Sequence, residues 1–231
     1  MKCILLAAGE GTRMRPLTNE CPKSLLKASG KPLVEHILSK LPKEVDEFIF
    51  VIGHLGNMIK DYCGDNFLGR PVKYILQEEK LGTYHAVALA KDFIKPGERF
   101  LVLYGDDLHG KKGIEECIKH PRALLVKEVE NPRAYGVVEL DENANVKNVI
   151  EKPENPSSNL ISTGVLVLDH HIFEFPPELS SRGEYFLTDA MQKMLAKYPI
   201  KAVRSSFWFA VTTPENLKTA EKAVLDPQFE S

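Results

Sequence analysis

The chain lacks long apolar runs, paired cysteines and an excess of charge of either sign. No stretch approaches the length of a membrane span, and Met1-Lys2 leads directly into a predicted strand rather than a signal peptide. A formal charge of −2 gives no electrostatic footprint for nucleic acid. Neither a membrane nor a nucleic acid is therefore expected as a partner.

The four cysteines are scattered and form no CxxC pair, which argues against a zinc site. Reduced thiols are the simplest interpretation, and they favour a cytoplasmic location. With 231 residues, 43% of them hydrophobic, the chain is long enough for one large α/β domain or two small ones. No linker separates two units, so we predict one domain over 1–231, with a nucleotide-binding half (1–120) and a sugar-binding half (121–231).

Apolar patterning predicts an α/β fold. Strand and helix alternate up to about residue 120, which implies parallel strands joined by right-handed crossovers. The second half is richer in strands and is expected to extend the same sheet. Strands are predicted at 2–8, 48–52, 72–76, 100–104, 123–129, 136–140, 146–150, 164–168 and 200–205. Helices are predicted at 32–41, 55–62, 83–93, 184–198 and 214–225.

A glycine loop follows the first strand and is the strongest local signal. Small residues at Gly9 and Gly11 let a phosphate approach the backbone, and Arg13 can grip phosphate oxygens with two hydrogen bonds. The dinucleotide fingerprint needs a third glycine, but Met14 stands there, so an NAD site is excluded. No Gly-Lys-Ser/Thr follows at the right spacing, which also excludes a P-loop.

Two further charged residues belong with this loop. Pro22 restricts the backbone before Lys23, whose ammonium would add a second cation beside a triphosphate. Asp106 follows the fourth strand, at the sheet edge where open α/β sheets bind ligands, and is a candidate Mg²⁺ ligand. Its neighbour Asp107 is the weaker candidate, because adjacent residues on an extended chain point to opposite sides. The Lys111-Lys112 pair is interpreted as a solvated turn.

Taken together, these residues resemble the sugar-1-phosphate nucleotidyltransferases, also called nucleoside-diphosphate-sugar pyrophosphorylases. The resemblance spans nearly the whole chain. Its motifs are Leu6-Ala7-Ala8-Gly9-x-Gly11-Thr12-Arg13, Pro22-Lys23, Gln77-x-x-x-x-Gly82-Thr83, Gly105-Asp106, Tyr135-Gly136-Val137-Val138, Glu151-Lys152-Pro153, Thr163-Gly164 and Thr213-Pro214-Glu215.

The resemblance implies a Rossmann-like, mixed, mainly parallel central sheet flanked by helices. It also implies one reaction, in which a phosphate oxygen of a sugar 1-phosphate attacks the α-phosphorus of a nucleoside triphosphate and pyrophosphate leaves. Arg13 and Lys23 would be catalytic, and Asp106 would hold Mg²⁺. The implied nucleotide-binding residues are Ala8, Gly9, Gly11, Thr12, Gln77, Gly82 and Thr83. The implied sugar-phosphate-binding residues are Gly136, Glu151, Lys152 and Ser162.

Gln77 suggests which base is bound. A carboxamide donates one hydrogen bond and accepts another, which matches the alternating acceptor and N3–H donor of uracil or thymine. Guanine shows two adjacent donors, for which a carboxylate is better suited. UTP or dTTP is therefore expected over GTP, and the choice between these two is left open, as are the sugar and a homo-oligomeric state.

One departure from the family pattern concerns the metal. The family usually reads Trp-x-Asp before Thr-Pro-Glu, and that Asp is the second metal ligand, but this chain reads Trp208-Phe209-Ala210. With a methyl group there, Mg²⁺ would rely on Asp106, the phosphates and water. The alternative hypothesis is therefore a catalytically impaired homologue that binds nucleotide or sugar phosphate and regulates a partner subunit.

Overall fold

The computed structural model describes residues 1–230. Its strands are β1 (Lys2–Ala7), β2 (Lys27–Ala28), β3 (Lys31–Pro32), β4 (Glu47–Ile52), β5 (Asn66–Phe67), β6 (Arg70–Leu76), β7 (Arg99–Tyr104), β8 (Asp107–His109), β9 (Ala123–Glu128), β10 (Gly136–Leu140), β11 (Val146–Glu151), β12 (Leu160–Asp169), β13 (Lys201–Arg204) and β14 (Trp208–Ala210). Its α-helices are α1 (Leu33–Ser39), α2 (Gly56–Cys63), α3 (Thr83–Ala88), α4 (Lys111–Cys117), α5 (Leu187–Met194), α6 (Pro214–Ala223) and α7 (Pro227–Glu230).

One ten-stranded sheet joins both halves of the chain. Its main path runs β11-β10-β12-β7-β1-β4-β6-β5, and β9 and β13 extend from β12. The centre, β6-β4-β1-β7, is parallel, whereas β12 lies antiparallel to β7 and carries the second half. The expected mixed sheet, parallel at its centre and flanked by helices, is confirmed, and the second half extends it as predicted.

The central strands are buried on both faces, which explains their uninterrupted apolar runs. Successive side chains of β1 point to opposite faces, so Cys3 and Leu5 belong to one core cluster and Ile4 to the other. Helices cover each face: α1 and α2 pack on the first cluster, and α3 and α5 pack on the second. The four cysteines are unpaired, as expected. No helix within residues 1–230 is long and apolar enough to cross a bilayer.

The parallel centre brings three loops to one edge of the sheet. Glycine residues follow β1, Gln77 follows β6, and Gly105-Asp106 follows β7, each at the carboxyl end of its strand. Gln77 continues the ladder, since its backbone N–H donates to the Ile52 carbonyl at 2.8 Å. The candidate residues from the first half therefore meet at the predicted edge.

Short elements depart from the sequence expectations. Asp107–His109 and Trp208–Ala210 pair as a two-stranded antiparallel ribbon, which was not predicted. Lys111-Lys112 begins α4 rather than forming a turn, so that prediction was wrong. The two lysines are exposed and the helix buries Ile114 and Cys117 beneath them, so tertiary packing rather than local sequence determines this helix.

The helix that follows the ribbon begins with a capping box. The Thr213 hydroxyl accepts from the Asn216 backbone N–H at 3.2 Å, and the Asn216 side-chain oxygen accepts from the Thr213 N–H at 3.2 Å. Pro214 occupies the first helical position, where its missing N–H removes no hydrogen bond. The Thr-Pro-Glu motif is therefore, structurally, the start of α6.

This cap generates a stability prediction. We expect Thr213→Ala to lower the free energy of unfolding by about 1 kcal/mol, because the Asn216 backbone N–H loses its partner. Urea denaturation followed by circular dichroism measures the change. Thr219→Ala, an exposed position later in the same helix, serves as the control and is expected within about 0.5 kcal/mol of the parent. Equal midpoints for the parent and Thr213→Ala would contradict a stabilising cap.

Candidate active site

A cavity of about 510 Å³ opens at the carboxyl edge of the parallel strands. Both halves of the chain contribute to its wall. The expected site residues that line it are Ala8, Gly9, Gly11, Thr12, Arg13, Lys23, Gln77, Gly82, Thr83, Asp106, Glu151 and Lys152. The structure thus brings the two predicted halves of the site together in one space.

The glycine loop has a backbone that only small residues fit. Gly11 adopts φ +63, and a Cβ there would lie 2.9 Å from Thr18 Cγ2. Its carbonyl accepts from the Thr18 hydroxyl at 2.8 Å and from the Met14 N–H at 2.8 Å, which closes a short 3₁₀ turn. Gly9 is exposed and has nothing within 4 Å of its would-be Cβ. The loop is therefore fixed at Gly11 and open to solvent at Gly9.

Two cations from the first half face this cavity in different states. Arg13 is exposed and forms no ion pair with any residue in 1–230, so its guanidinium is available to a ligand. Lys23 is 12% exposed, and its Nζ lies 2.5 Å from Oδ2 of Asp106. The ion pair joins the loop after β1 to the end of β7, and it holds the ammonium and the carboxylate together at the cavity wall.

Asp107 is not among the residues that line the cavity, but the charges of Asp106, Lys23 and Arg13 act on its carboxyl. Asp106 is in a turn, and β8 begins at Asp107. Asp107 is the cross-strand partner of Ala210, so the two side chains share one face of the ribbon. Asp107 is 8% exposed, and burial followed by the charge of Asp106 raises the pKa of its carboxyl, while Lys23 partly opposes that rise.

The ribbon behind Asp107 carries further polar groups. The Trp208 indole N–H faces the Asp107 carboxyl and partly opposes the rise in its pKa. The contact is not a hydrogen bond of ordinary geometry, and Nε1 of Trp208 has no other hydrogen-bond partner within residues 1–230. Opposite Trp208, His109 is 2% exposed with no hydrogen bond at either ring nitrogen in that range. Burial lowers the pKa of His109 to about 3, so this imidazole is neutral.

Gln77 offers the cavity fewer hydrogen-bonding groups than the sequence suggested. Its side-chain Nε2 donates to the Gly82 carbonyl at 3.2 Å and lies 3.0 Å from Nδ1 of His85. Both N–H groups are therefore used inside the protein, and the amide offers the cavity an acceptor alone rather than a donor and an acceptor. Gly82 has φ +93, and a Cβ there would lie 2.6 Å from the Tyr185 carbonyl oxygen, so a larger residue would not fit.

The second half supplies an ion pair to the cavity wall. Lys152 Nζ lies 3.2 Å from Oε1 of Glu151 and 5.4 Å from the centre of the Phe186 ring. The Thr188 hydroxyl donates to Oε2 of Glu151 at 3.1 Å. These contacts orient the carboxylate, and Lys152, itself at φ +44, carries a third cation into the cavity.

Gly136 and Ser162 lie beside Glu151 and are not among the residues that line the cavity. Gly136 pairs with Glu151 across β10 and β11, and a Cβ on it would lie 2.9 Å from Thr188 Cγ2 and 3.7 Å from Ser162 Cβ. The absence of a side chain there makes room for the Thr188–Glu151 contact. Sugar binding by these two residues stays a prediction.

Several lining residues were missed by the sequence analysis. Glu10 accepts from Lys80 across the mouth of the cavity, and this hydrogen bond lowers the pKa of the Glu10 carboxyl. Glu184 and Phe186 reach the site from the segment before α5, and Tyr104 from the end of β7. Lys80 lies between Gln77 and Gly82 in the sequence, so that motif could have indicated Lys80 as a site residue. Nothing local marks Glu184 or Phe186, because only the fold brings that segment beside Gly82.

The metal-binding potential rests on carboxylates and not on a preformed cage. Within residues 1–230, no group of three or more His, Cys, Asp or Glu side chains is placed to hold a metal ion. Asp106 lines the cavity, and its hard oxygen donors suit Mg²⁺, which takes one or two carboxylates together with substrate phosphates. The donor set thus fits a metal that completes its coordination with a bound polyphosphate.

Comparisons with known proteins show the family to which the chain belongs. The nucleotidyl transferase family model matches residues 2–226. A bifunctional protein GlmU of Methanocaldococcus jannaschii is 38% identical over 230 residues, covering 98% of this chain and 55% of its own length. The chain therefore spans about half of that relative. A UTP–glucose-1-phosphate uridylyltransferase, AglF of Haloferax volcanii, is 32% identical over 96% of both chains.

Solved structures share the fold. A Bacillus anthracis protein described as a glucose-1-phosphate thymidylyltransferase, in complex with a sucrose, superposes with a TM-score of 0.86 at 27% identity, over 99% of this chain and 98% of that one. A UDP-glucose pyrophosphorylase complexed with UDP-glucose gives 0.87 at 24% identity, over 97% and 98%, and supports the fold alone. On the family model and these relatives, the chain belongs to the sugar-1-phosphate nucleotidyltransferase family.

Proposed function

We propose that this protein transfers a nucleotidyl group from a nucleoside triphosphate to a sugar 1-phosphate, giving a nucleoside-diphosphate sugar and pyrophosphate. The observation that carries the proposal is the convergence of Arg13, Lys23 and Lys152 on one cavity that is floored by a glycine loop. These three cations line one cavity, which suits two phosphorylated substrates that would otherwise repel each other. AglF, which matches end to end, is named for this reaction with UTP and glucose 1-phosphate.

The reaction needs positioning and neutralisation of charge more than covalent chemistry. A non-bridging oxygen of the sugar phosphate attacks the α-phosphorus, and the bond to the β-phosphate oxygen breaks as pyrophosphate leaves with its electron pair. In this proposal Arg13, which forms no ion pair within residues 1–230, holds the departing pyrophosphate. Lys23 stabilises charge on the α-phosphate, and Lys152 holds the attacking phosphate.

The acceptor that Gln77 offers supports a pyrimidine with an N3–H donor. Its oxygen can accept from N3–H of uracil or thymine, whereas the single acceptor satisfies only part of the two-donor edge of guanine. A buried polar group left without a partner costs about 1–3 kcal/mol. UTP or dTTP therefore remains the favoured nucleotide. The support comes from the Gln77 oxygen as a hydrogen-bond acceptor, and no longer from the N–H donor that the sequence suggested.

Mg²⁺ would be held by Asp106 and the phosphates, and it would supply charge neutralisation at the reacting phosphates. Because residue 210 is alanine, the metal lacks the second carboxylate ligand that the family pattern provides. Asp107 lies directly across the ribbon from Ala210, buried and beside Asp106. We therefore propose Asp107 as the second carboxylate, moved from one strand of the ribbon to the other.

The activity prediction uses pyrophosphate release, measured with each of UTP, dTTP, CTP and GTP and with glucose 1-phosphate or N-acetylglucosamine 1-phosphate. We expect turnover with UTP or dTTP, and we expect Lys23→Met to lower kcat by about 100- to 1,000-fold, because a cation at the transferred phosphate is lost. Lys112→Met, at the exposed start of α4, is the matched control and should retain parental kcat. Nucleotide binding without turnover for every combination of nucleotide and sugar phosphate would favour the regulatory alternative. That alternative is suggested by Ala210, which replaces the second metal-binding carboxylate of the family pattern.

The metal prediction concerns Asp107 and Ala210. Asp107→Asn should weaken Mn²⁺ binding to the protein–nucleotide complex by about tenfold, and Ala210→Asp in the same chain should restore it, since a carboxylate returns to the ribbon face. Electron paramagnetic resonance of free Mn²⁺ reports the affinity without any need for turnover. Thermal melts check that both variants fold. Unchanged Mn²⁺ affinity in Asp107→Asn would rule out Asp107 as a ligand.

A further inference from the structure

The side-chain amide of Gln77 has a defined orientation at the cavity wall. Gln77 is 8% exposed, and its amide stands 3.2 Å from the Gly82 carbonyl oxygen. A carbonyl only accepts hydrogen bonds, so the atom facing it has to be the NH₂ group rather than the amide oxygen. This contact alone distinguishes the two ways in which a glutamine amide can be placed.

The second N–H of the same amide is directed at His85. Nδ1 of His85 lies 3.0 Å from Nε2 of Gln77, and since the amide nitrogen only donates, Nδ1 accepts and the neutral ring carries its proton on Nε2. With both N–H groups used, Oε1 is the remaining polar atom of the amide. It has no hydrogen bond to any residue in 1–230, and Gln77 lines the cavity.

We propose that His85 is a positioning residue that locks the Gln77 amide with its oxygen toward the cavity, so that the site accepts only bases that present an N–H donor there. The inference rests on the proposed function, in that the cavity binds a nucleoside triphosphate with its base at Gln77. It assigns the selection against cytosine to a histidine that does not itself contact the base.

The selectivity follows from what a flipped amide would meet. Uracil and thymine carry N3–H, which the fixed oxygen accepts, whereas cytosine has a lone pair at N3 and would face that oxygen with no proton between them. An unrestrained glutamine could rotate and offer its NH₂ to cytosine. Here rotation would turn Oε1 toward the Gly82 oxygen, leaving that acceptor pair without a proton, and toward Nδ1 of His85, which could donate to it only if the ring proton moved from Nε2 to Nδ1.

His85 is itself held in place by the chain around it. It lies in α3, and the loop before this helix is tied to the segment before α5. The Tyr185 N–H donates to the Leu81 carbonyl at 2.8 Å, the Tyr84 N–H donates to the Tyr185 carbonyl at 2.9 Å, and the Leu187 N–H donates to the Thr83 hydroxyl at 2.9 Å. The acceptor at Nδ1 is therefore presented from a fixed backbone.

The test compares two substitutions that differ in one property. His85→Leu removes the acceptor, whereas His85→Gln keeps an acceptor on a flexible side chain of suitable length. His120→Leu, a histidine that does not line the cavity, is the control. Isothermal titration calorimetry gives the Kd values for UTP and CTP. Hydrogen exchange of the Gln77 side-chain amide, assigned by its loss in Gln77→Leu, reports the lock in the nucleotide-free protein.

We expect the parent to bind UTP more tightly than CTP. In His85→Leu that preference should fall by roughly tenfold, because one amide N–H is released and only the Gly82 carbonyl still opposes rotation of the amide. Exchange of the Gln77 NH₂ should also become faster in His85→Leu. His85→Gln and His120→Leu should retain both the preference and the slow exchange. A histidine needed only for packing would not change the UTP-to-CTP ratio.

The outcomes separate this inference from the proposed function. An unchanged UTP-to-CTP ratio or unchanged exchange in His85→Leu would overturn the lock, while turnover of UTP by the parent would leave the proposed function standing. Loss of preference in His85→Gln equal to that in His85→Leu would also overturn it, since the acceptor would then not be the cause. Preferential UTP binding without nucleotide-sugar formation would overturn the proposed function and support the lock. Equal binding of UTP and CTP by the parent would end the inference.

Discussion

The ion pair between Lys23 and Asp106 is the interaction around which the site is arranged. It connects the loop after β1 with the end of β7, two adjacent parallel strands whose carboxyl ends lie at one sheet edge. With Lys23 only 12% exposed, this partly buried contact is far less screened than a surface pair. A polyphosphate offers the ammonium a new partner, and a divalent cation offers one to the carboxylate. The pair therefore keeps both groups in place for the charges that the proposed reaction brings.

Around that pair, the structure repeatedly uses one group to orient another. Thr188 orients Glu151, which pairs with Lys152. His85 and the Gly82 carbonyl orient Gln77. In each case the group that faces the cavity is fixed by hydrogen bonds from behind, which reduces the entropy lost when a ligand binds. The chemistry of the wall is thus decided as much by supporting residues as by those that line it.

The elements that could be predicted from the sequence are those with strong periodic patterns. The runs at β1, β4 and β7 are apolar on both faces because helices cover both sides of the sheet, so their composition alone indicated buried parallel strands. The ribbon of β8 and β14 has only three residues in each strand and no pattern of its own. It forms because the two segments meet in the folded chain. The pairing of Asp107 with Ala210 could therefore not be predicted from the sequence.

The sequence by itself determined the order of chemistry along the chain: a glycine loop with Arg13, then Lys23, Gln77, Asp106 and the Glu151-Lys152 pair. Local residue types specify this, since glycine spacing, fixed charges and strand ends need no distant partner to be recognised. Only the tertiary structure decided what each group has left to offer. It used both N–H groups of Gln77 internally, left Arg13 free of an ion pair within residues 1–230, and placed Asp107 opposite Ala210. Hydrogen-bond capacity and burial depend on neighbours that are remote in sequence, and for that reason no local pattern reveals them.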